Sequence, residues 1–227
     1  MLLTNLPDES ADYRTRREAL RLAEVDLMRQ REQVAELRRG LPPGPVVEDY
    51  VFLEGPVQLA DGDEPAREVR LHELFSGPGR TLVVYHLMLG KAQRNACPMC
   101  TMWIDGFNGV ADHLAQNIDF VIVAAAPLPV LRDHARSRGW DKLRLLSAGA
   151  STFKLDLGSE DADGVQDSTV SVFTREPDGR VRHTYTGHPR LADDIMQRGV
   201  DLLSPVWHLL DLTPEGRGDW YPSLDYS

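Results

Sequence analysis

Cys97 and Cys100 are the only cysteines in 227 residues, and they sit three positions apart in the stretch Asn95-Ala96-Cys97-Pro98-Met99-Cys100-Thr101-Met102-Trp103. An apolar, strand-like run, Leu82 to Leu89, leads into it. A helical pattern with apolar residues at Met99, Trp103, Phe107, Val110 and Leu114 leads out. In that setting the Cys-x-x-Cys spacing reads as a redox pair rather than half of a zinc site. With Cys97 as the cap, Pro98 takes the first helical position, where its missing N–H costs nothing. Residues three apart share a helix face, so the two sulfurs can meet. The positive end of the helix lowers the Cys97 pKa. Cys97 is then the attacking thiolate, and the more enclosed Cys100 resolves the mixed disulfide.

Other uses of two thiols compete with this one. A tetrahedral structural zinc needs four ligands, and no second cysteine pair supplies them. A structural disulfide across so short a loop stabilises little by loop closure. A metal-binding protein is the main alternative, for Cu(I) or zinc, with His86, His183 or His188 completing a Cys97/Cys100 site; thiolates favour Cu(I). A non-enzymatic interaction protein, working through its N-terminal helix, is a third. Among possible assistants, Arg94 lies three residues before Cys97 and could stabilise its thiolate. His86, near the end of the apolar strand, is either a base or ligand for the cysteines or a hydrogen-bonded core histidine. Asp105 is expected to point elsewhere, and Trp103 into the core.

The net charge of −10 argues against a nucleic-acid binder, which needs a basic field to neutralise phosphates. No apolar run reaches the length of a membrane span. The first ten residues lack the basic and apolar regions of a signal peptide, so a cytoplasmic location is expected. In that compartment a lone cysteine pair is mostly reduced or catalytic.

The elements that must position the pair are legible in order. Ser10 to Arg39 reads as one long helix, with Tyr13, Leu20, Leu27 and Val34 spaced by seven. Eight arginines balance eight acidic residues between Asp8 and Gly40, which describes a salt-laced helix and not a basic patch. It could serve as a dimerisation arm or pack on its own domain. Residues 40–45, rich in Gly and Pro, end it, so the chain divides into an arm and linker over 1–45 and a domain over 46–227. Within that domain, strands are expected at 46–53, near 57–59, at 81–89, 118–126 and 143–146, and at 169–173 and 180–186 around the turn Glu176-Pro-Asp-Gly179. Helices are expected over 69–75, from Cys97 onward, from Pro127 to Arg138 with Gly139 closing it, and over 191–203 with an apolar extension to 212. Residues 153–166 read as an acidic loop, and the tail from Thr213 as irregular but docked through Trp220 and Tyr221. The fold class is therefore α/β, a mixed sheet with parallel strands at its centre, an antiparallel hairpin at its edge and helices on both faces.

Arg38-Arg-Gly-Leu-Pro42, Asp49-Tyr-Val-Phe52, Leu82-Val-Val-Tyr-His86, Cys97-Pro-Met-Cys100, Trp103-Ile-Asp-Gly-Phe-Asn-Gly109 and Asp211-Leu-Thr-Pro214 fit one pattern. They resemble an uncharacterised bacterial thioredoxin-like family near the alkyl hydroperoxide reductase and thiol-specific antioxidant group. The resemblance covers nearly the whole chain and implies a thioredoxin-like fold with an extra long N-terminal helix. Two departures stand out. A peroxiredoxin places threonine or serine three residues before its reactive cysteine, where Arg94 stands here. A thioredoxin carries a cis-proline before the strand facing its cysteines, where Ser168-Thr169-Val170 stands here. Ser168 and Thr169 thus join Arg94, His86 and Pro98 as candidate supports for Cys97 and Cys100. The expected partners are a protein or small-molecule disulfide or thiol and a cellular reductant, with no cofactor, no nucleic acid and no membrane, and with a homodimer through the N-terminal helix.

Overall fold

The structure is a computed structural model and describes residues 8–195 and 198–226. The chain divides into two compact units, one ending at Pro42 and the other starting at Pro43.

The first unit is built on α1 (Ala11–Arg39). Ser10 caps it by accepting the Tyr13 N–H at 3.1 Å, which satisfies one of the free donors of the first turn. Arg38 and Arg39 fall in the last turn, where positive charge complements the helix dipole. Pairs such as Arg16–Asp12 (3.0 Å) and Arg29–Asp26 (3.1 Å) run along its surface. None of its residues is buried.

The second unit holds a seven-stranded mixed sheet. Its strands are β1 (Val51–Glu54), β2 (Arg67–Arg70), β3 (Thr81–His86), β4 (Asp119–Ala124), β5 (Arg144–Ser147), β6 (Val170–Arg175) and β7 (Val181–Gly187), in the spatial order β2-β1-β5-β4-β3-β6-β7. β3, β4 and β5 are parallel, while β1, β2, β6 and β7 add antiparallel pairings at the two sides. The parallel strands are joined by α2 (Pro98–Ala115) and α3 (Leu128–Arg138). The left-handed Gly139, at φ 67°, ends α3 and turns the chain toward β5.

Central strands bury both faces, and their side chains alternate between two cores. On β3, Tyr85 and the following Leu87 face α2 and α3, packing with Cys100, Trp103, Ile104, Phe107 and Leu131. Leu82 and Val84 face the opposite side, with Phe52, Leu74, Phe153 and Phe173. That second side is covered by a 3₁₀ turn at Leu71–Leu74 and by the single-turn α4 (Phe153–Asp156) rather than by long helices.

Several expected boundaries move. The helix expected over 69–75 is half strand: Val69 pairs with Phe52 across β1 and β2, and only Leu71–Leu74 turn helically. The strand expected near 57–59 is instead a 3₁₀ turn at Leu59–Asp61. β3 stops at His86, because Leu87 to Leu89 leave the ladder to form the loop below the cysteines. The loop expected from 153 opens with α4. Residues 196 and 197, inside the expected helix over 191–203, lie outside the described residues; residues 191–195 form turns and bends, and Arg198–Leu203 a kinked 3₁₀ segment. α5 (Pro205–Leu210) follows, seating Trp207 in the core shared with α2.

Candidate active site

The end of β3 sets the site. The His86 N–H donates to Thr169 O and the Leu87 N–H to Val123 O, each at 2.9 Å, while Leu89 O accepts the Ala126 N–H at 2.9 Å. This pins Leu87 to Leu89 between neighbouring strands. Met88 O then accepts the Cys97 N–H at 3.1 Å, which holds the cap of α2 against that loop. Cys97 is extended (φ −59°, ψ 126°), Pro98 opens the helix, and Cys97 O accepts the Thr101 N–H at 3.0 Å. The Thr101 hydroxyl donates to the same carbonyl at 3.1 Å and meets His134 Nε2 at 3.0 Å, tying α2 to α3.

One turn of helix separates two different sulfurs. Cys97 is half-buried, Cys100 is 1 % exposed, and no disulfide joins them. The Cys97 pKa is lowered to about 5, first by a hydrogen bond with Cys100 and then by the Cys100 backbone N–H and the Tyr221 hydroxyl, against the opposing effect of burial. Cys100 is pushed well above the ordinary thiol range by burial and by the neighbouring sulfur. The pair therefore keeps one proton, held at Cys100, with the charge at Cys97. Beneath them lies the fully buried Tyr85 hydroxyl, which faces Cys100 and Ser168 without a hydrogen bond of standard geometry.

Tyr221 comes from the far end of the chain. Its hydroxyl stands 3.5 Å from Cys97 Sγ, and burial, together with the charged neighbour, raises its own pKa to about 12. The tail that carries it is fastened on both sides. Before it, Arg217 pairs with Asp201 at 2.9 Å and Asp211 at 2.8 Å and lies over the Trp207 ring, which Trp220 meets edge-on. After it, the Tyr226 hydroxyl accepts from Arg138 at 2.6 Å. A cleft of about 160 Å³ opens beside the cysteines, lined by Met88, Trp103, Ser168, Arg190 and Tyr221. This is below the roughly 300 Å³ at which ordinary small-molecule sites begin; it suits a disulfide and its flanking methylenes.

Cys97, Cys100 and Ser168 come together at this cleft, while Pro98, at the first position of α2, is outside its lining. Thr169 is buried just behind, holding β3 through its carbonyl. Arg94 does not join them: it is exposed, lies outside the cleft lining and makes no ion pair or hydrogen bond among the described residues. His86 is turned away as well. It stacks on Phe153 with rings 5.2 Å apart, and its two ring nitrogens meet Ser159 Oγ at 2.7 Å and Ser171 Oγ at 3.0 Å. Ser171 continues to Thr186 (3.0 Å) and Thr186 to His183 (2.7 Å). His188 is taken by Asp167 at 2.9 Å. No group of three His, Cys, Asp or Glu side chains among the described residues could hold a metal, so the histidines proposed for a Cys-Cys-His site are engaged elsewhere. Asp105 points to Arg138 and Trp140. Sequence reasoning missed Tyr221 as the neighbour of Cys97 and His134 as the partner of Thr101; the aromatic tail was the available signal for the first.

Comparison with known proteins bears on the fold. A peroxiredoxin solved by X-ray is 17% identical, with a TM-score of 0.50 over 72% of this chain and 98% of its own. The Plasmodium falciparum antioxidant protein, a 1-Cys peroxiredoxin, is 15% identical with a TM-score of 0.49, covering 71% and 96%. Mycobacterium bovis AhpC is 17% identical with a TM-score of 0.47, covering 80% and 98%. No curated protein matches the sequence. No helix among the described residues is long and apolar enough to cross a membrane. Residues 4–226 match the family described as "Bacterial protein of unknown function (DUF899)", and with the mixed thioredoxin-like sheet and its long N-terminal helix the chain belongs to that family.

Proposed function

We propose that this protein is a thiol–disulfide oxidoreductase working in the cytoplasm, with Cys97 as nucleophile and Cys100 as resolving thiol. One observation carries the reading: a half-buried Cys97 whose pKa is lowered to about 5 sits at the mouth of a cleft, directly above a buried, protonated Cys100. A thiol of ordinary pKa is only a few per cent thiolate at neutral pH, whereas Cys97 is almost wholly ionised there.

The reaction balances as follows. The Cys97 thiolate attacks one sulfur of a substrate disulfide; a Cys97–S–S bond forms and the other substrate sulfur leaves as thiolate. That thiolate takes the Cys100 proton. Cys100 then attacks Cys97 Sγ, closing the Cys97–Cys100 disulfide and releasing the second substrate sulfur. The substrate gains two electrons and the pair loses two, to be restored by a cellular reductant. Tyr221 donates to the Cys97 thiolate before attack, and Ser168 borders the channel along which the disulfide lies. The substrate is a protein or small-molecule disulfide, and the apolar seven-residue spacing on α1 suits pairing with a second copy.

Titration of the purified protein in dithiol buffers tests this, read by thiol alkylation and mass. A reversible single-disulfide transition within roughly −120 to −270 mV, lost in Cys97→Ser, is the expected result. A pair that stays reduced at every poise sinks the reading.

A further inference from the structure

Lys154 is fully buried on α4, and none of the steps above uses it. Its ammonium has three protons to donate, yet it makes one hydrogen bond, to Leu87 O at 3.0 Å, and no carboxylate lies within 4.0 Å of it among the described residues. Burial lowers its pKa to about 8. A buried cation of this kind is tolerated when a nearby negative charge answers it. Four titratable groups face it: His86, Glu160, Asp167 and Cys100. His86 is neutral, its pKa depressed by burial and by Lys154 itself. Glu160 lies 3.9 Å from Lys91, and Asp167 pairs with His188 and Arg190. The charge left to answer Lys154 is that of the cysteine pair.

The path between them is a single peptide group. Leu87 O accepts from Lys154, and Met88, which carries the N–H of the same peptide, packs with Cys100 in one core and lines the same cleft; its backbone is among the groups that favour the ionised form of Cys100. An ammonium on the carbonyl side of a peptide polarises it and strengthens the N–H as a donor on the other side. Met88 O also receives the Cys97 N–H, so one short segment serves both cysteines and the lysine.

We propose that Lys154 is a positioning residue for the resolving step, stabilising the Cys100 thiolate through the Leu87–Met88 peptide. This rests on the oxidoreductase reading. Cys100 gives its proton to the departing substrate thiolate, and the new charge appears where the polarised N–H awaits it. The other groups facing Cys100 act differently: Cys97 is by then bound in the mixed disulfide, and the phenols of Tyr85 and Tyr221 stay neutral. Once Cys97–Cys100 closes, the thiolate is gone and Lys154 loses its counter-charge.

Two measurements test this. In Cys97→Ser protein, the Cys100 thiolate fraction is read at pH 7, where Lys154 is still charged, from the rate of Cys100 alkylation with and without Lys154→Met. The expected result is a thiolate fraction lower by ten-fold or more without the lysine. The second needs no lysine variant. The chain has three lysines, Lys91, Lys142 and Lys154, so labelled-lysine NMR can follow the Lys154 midpoint in reduced and oxidised protein; it should fall on oxidation. A Cys100 thiolate fraction at pH 7 unmoved by Lys154→Met, or a Lys154 midpoint indifferent to oxidation, overturns the proposal. A wild-type pair that never closes a disulfide while the Cys100 thiolate fraction still answers to Lys154 overturns the oxidoreductase reading instead.

Discussion

Helices α2 and α3 both leave the carboxyl end of a central parallel strand, β3 and β4, and both begin on a proline-bearing turn. α2 starts on Cys97-Pro98, α3 on Pro127-Leu128-Pro129, and neither cap makes a side-chain hydrogen bond to its own first turn. The dipole and the free N–H groups are therefore similar. What surrounds them is not. Around Cys97 stand a second sulfur, a phenol from the tail and a cleft whose wall includes Asp167, Ser168 and Arg190. The start of α3 borders an apolar groove lined by Leu53, Ala125, Pro127 and Leu128. The start of a helix supplies a bias; the partners convert it into a reactive thiolate.

The sharpest break comes from the nucleophile. Cys97→Ser should cut disulfide exchange by at least about a thousand-fold, since a serine hydroxyl is no thiolate at neutral pH. Cys100→Ser should keep the first attack and accumulate a mixed disulfide, visible by mass.

A thiol moved to the other helix sharpens the contrast. Pro127→Cys, made in protein lacking Cys97 and Cys100, should titrate within about one unit of the ordinary 8.5. At pH 6 its alkylation should then be slower than that of Cys97 by roughly two orders of magnitude, following the thiolate fraction. A pKa near 5 at position 127 would show that the helix start alone suffices.

Tyr221→Phe probes the partners directly. Losing one donor to a charged acceptor costs about 1.5 kcal/mol, close to one pKa unit. The sign is upward, because the lost bond favoured the ionised form. Alkylation of Cys97 should fall about five-fold at pH 5 and hardly change at pH 7, where both proteins are ionised.

The smallest effect concerns the tie between the two helices. Thr101→Val removes the hydroxyl shared by Cys97 O and His134 Nε2. The expected loss is about 1–2 kcal/mol, or a fall in Tm of roughly 2–8 °C for a domain of this size, with the Cys97 titration unchanged.

The sequence shows where periodicity and local signals are strong. β3, α2, β4 and α3 are legible because two-sided apolar runs and a Pro-started, Gly-ended helix leave few alternatives. Residues 67–74 are misread because β2 turns only Val69 inward, and its charged neighbours hide the strand against a run that also suits a helix. In the site, Cys97 and Cys100 announce themselves by spacing. Arg94 is close in sequence yet exposed, since three residues of loop carry it away from the sulfur. Tyr221 is the converse: 124 residues separate it from Cys97, and no local pattern encodes such a contact. Lys154 lies in a stretch whose charges suggest solvent, and only the packing of α4 takes it inside.

The row of hydroxyls and imidazoles behind the site, buried at His86 and partly exposed at His183, has a further property: it can point only one way. Ser159 Oγ reaches the Lys154 carbonyl at 3.1 Å, and a carbonyl cannot donate, so the serine's single proton is committed there. Ser159 must then accept from His86 Nδ1–H, which leaves Nε2 of the neutral ring as an acceptor. Ser171 therefore donates to His86, Thr186 to Ser171, and His183 Nε2–H to Thr186. One backbone oxygen on α4 thus dictates the tautomer of two histidines, the second of them on the edge strand of the sheet. Ser159→Ala would release that order, and the Nδ1–H tautomer of His86 would lose the acceptor that selects it.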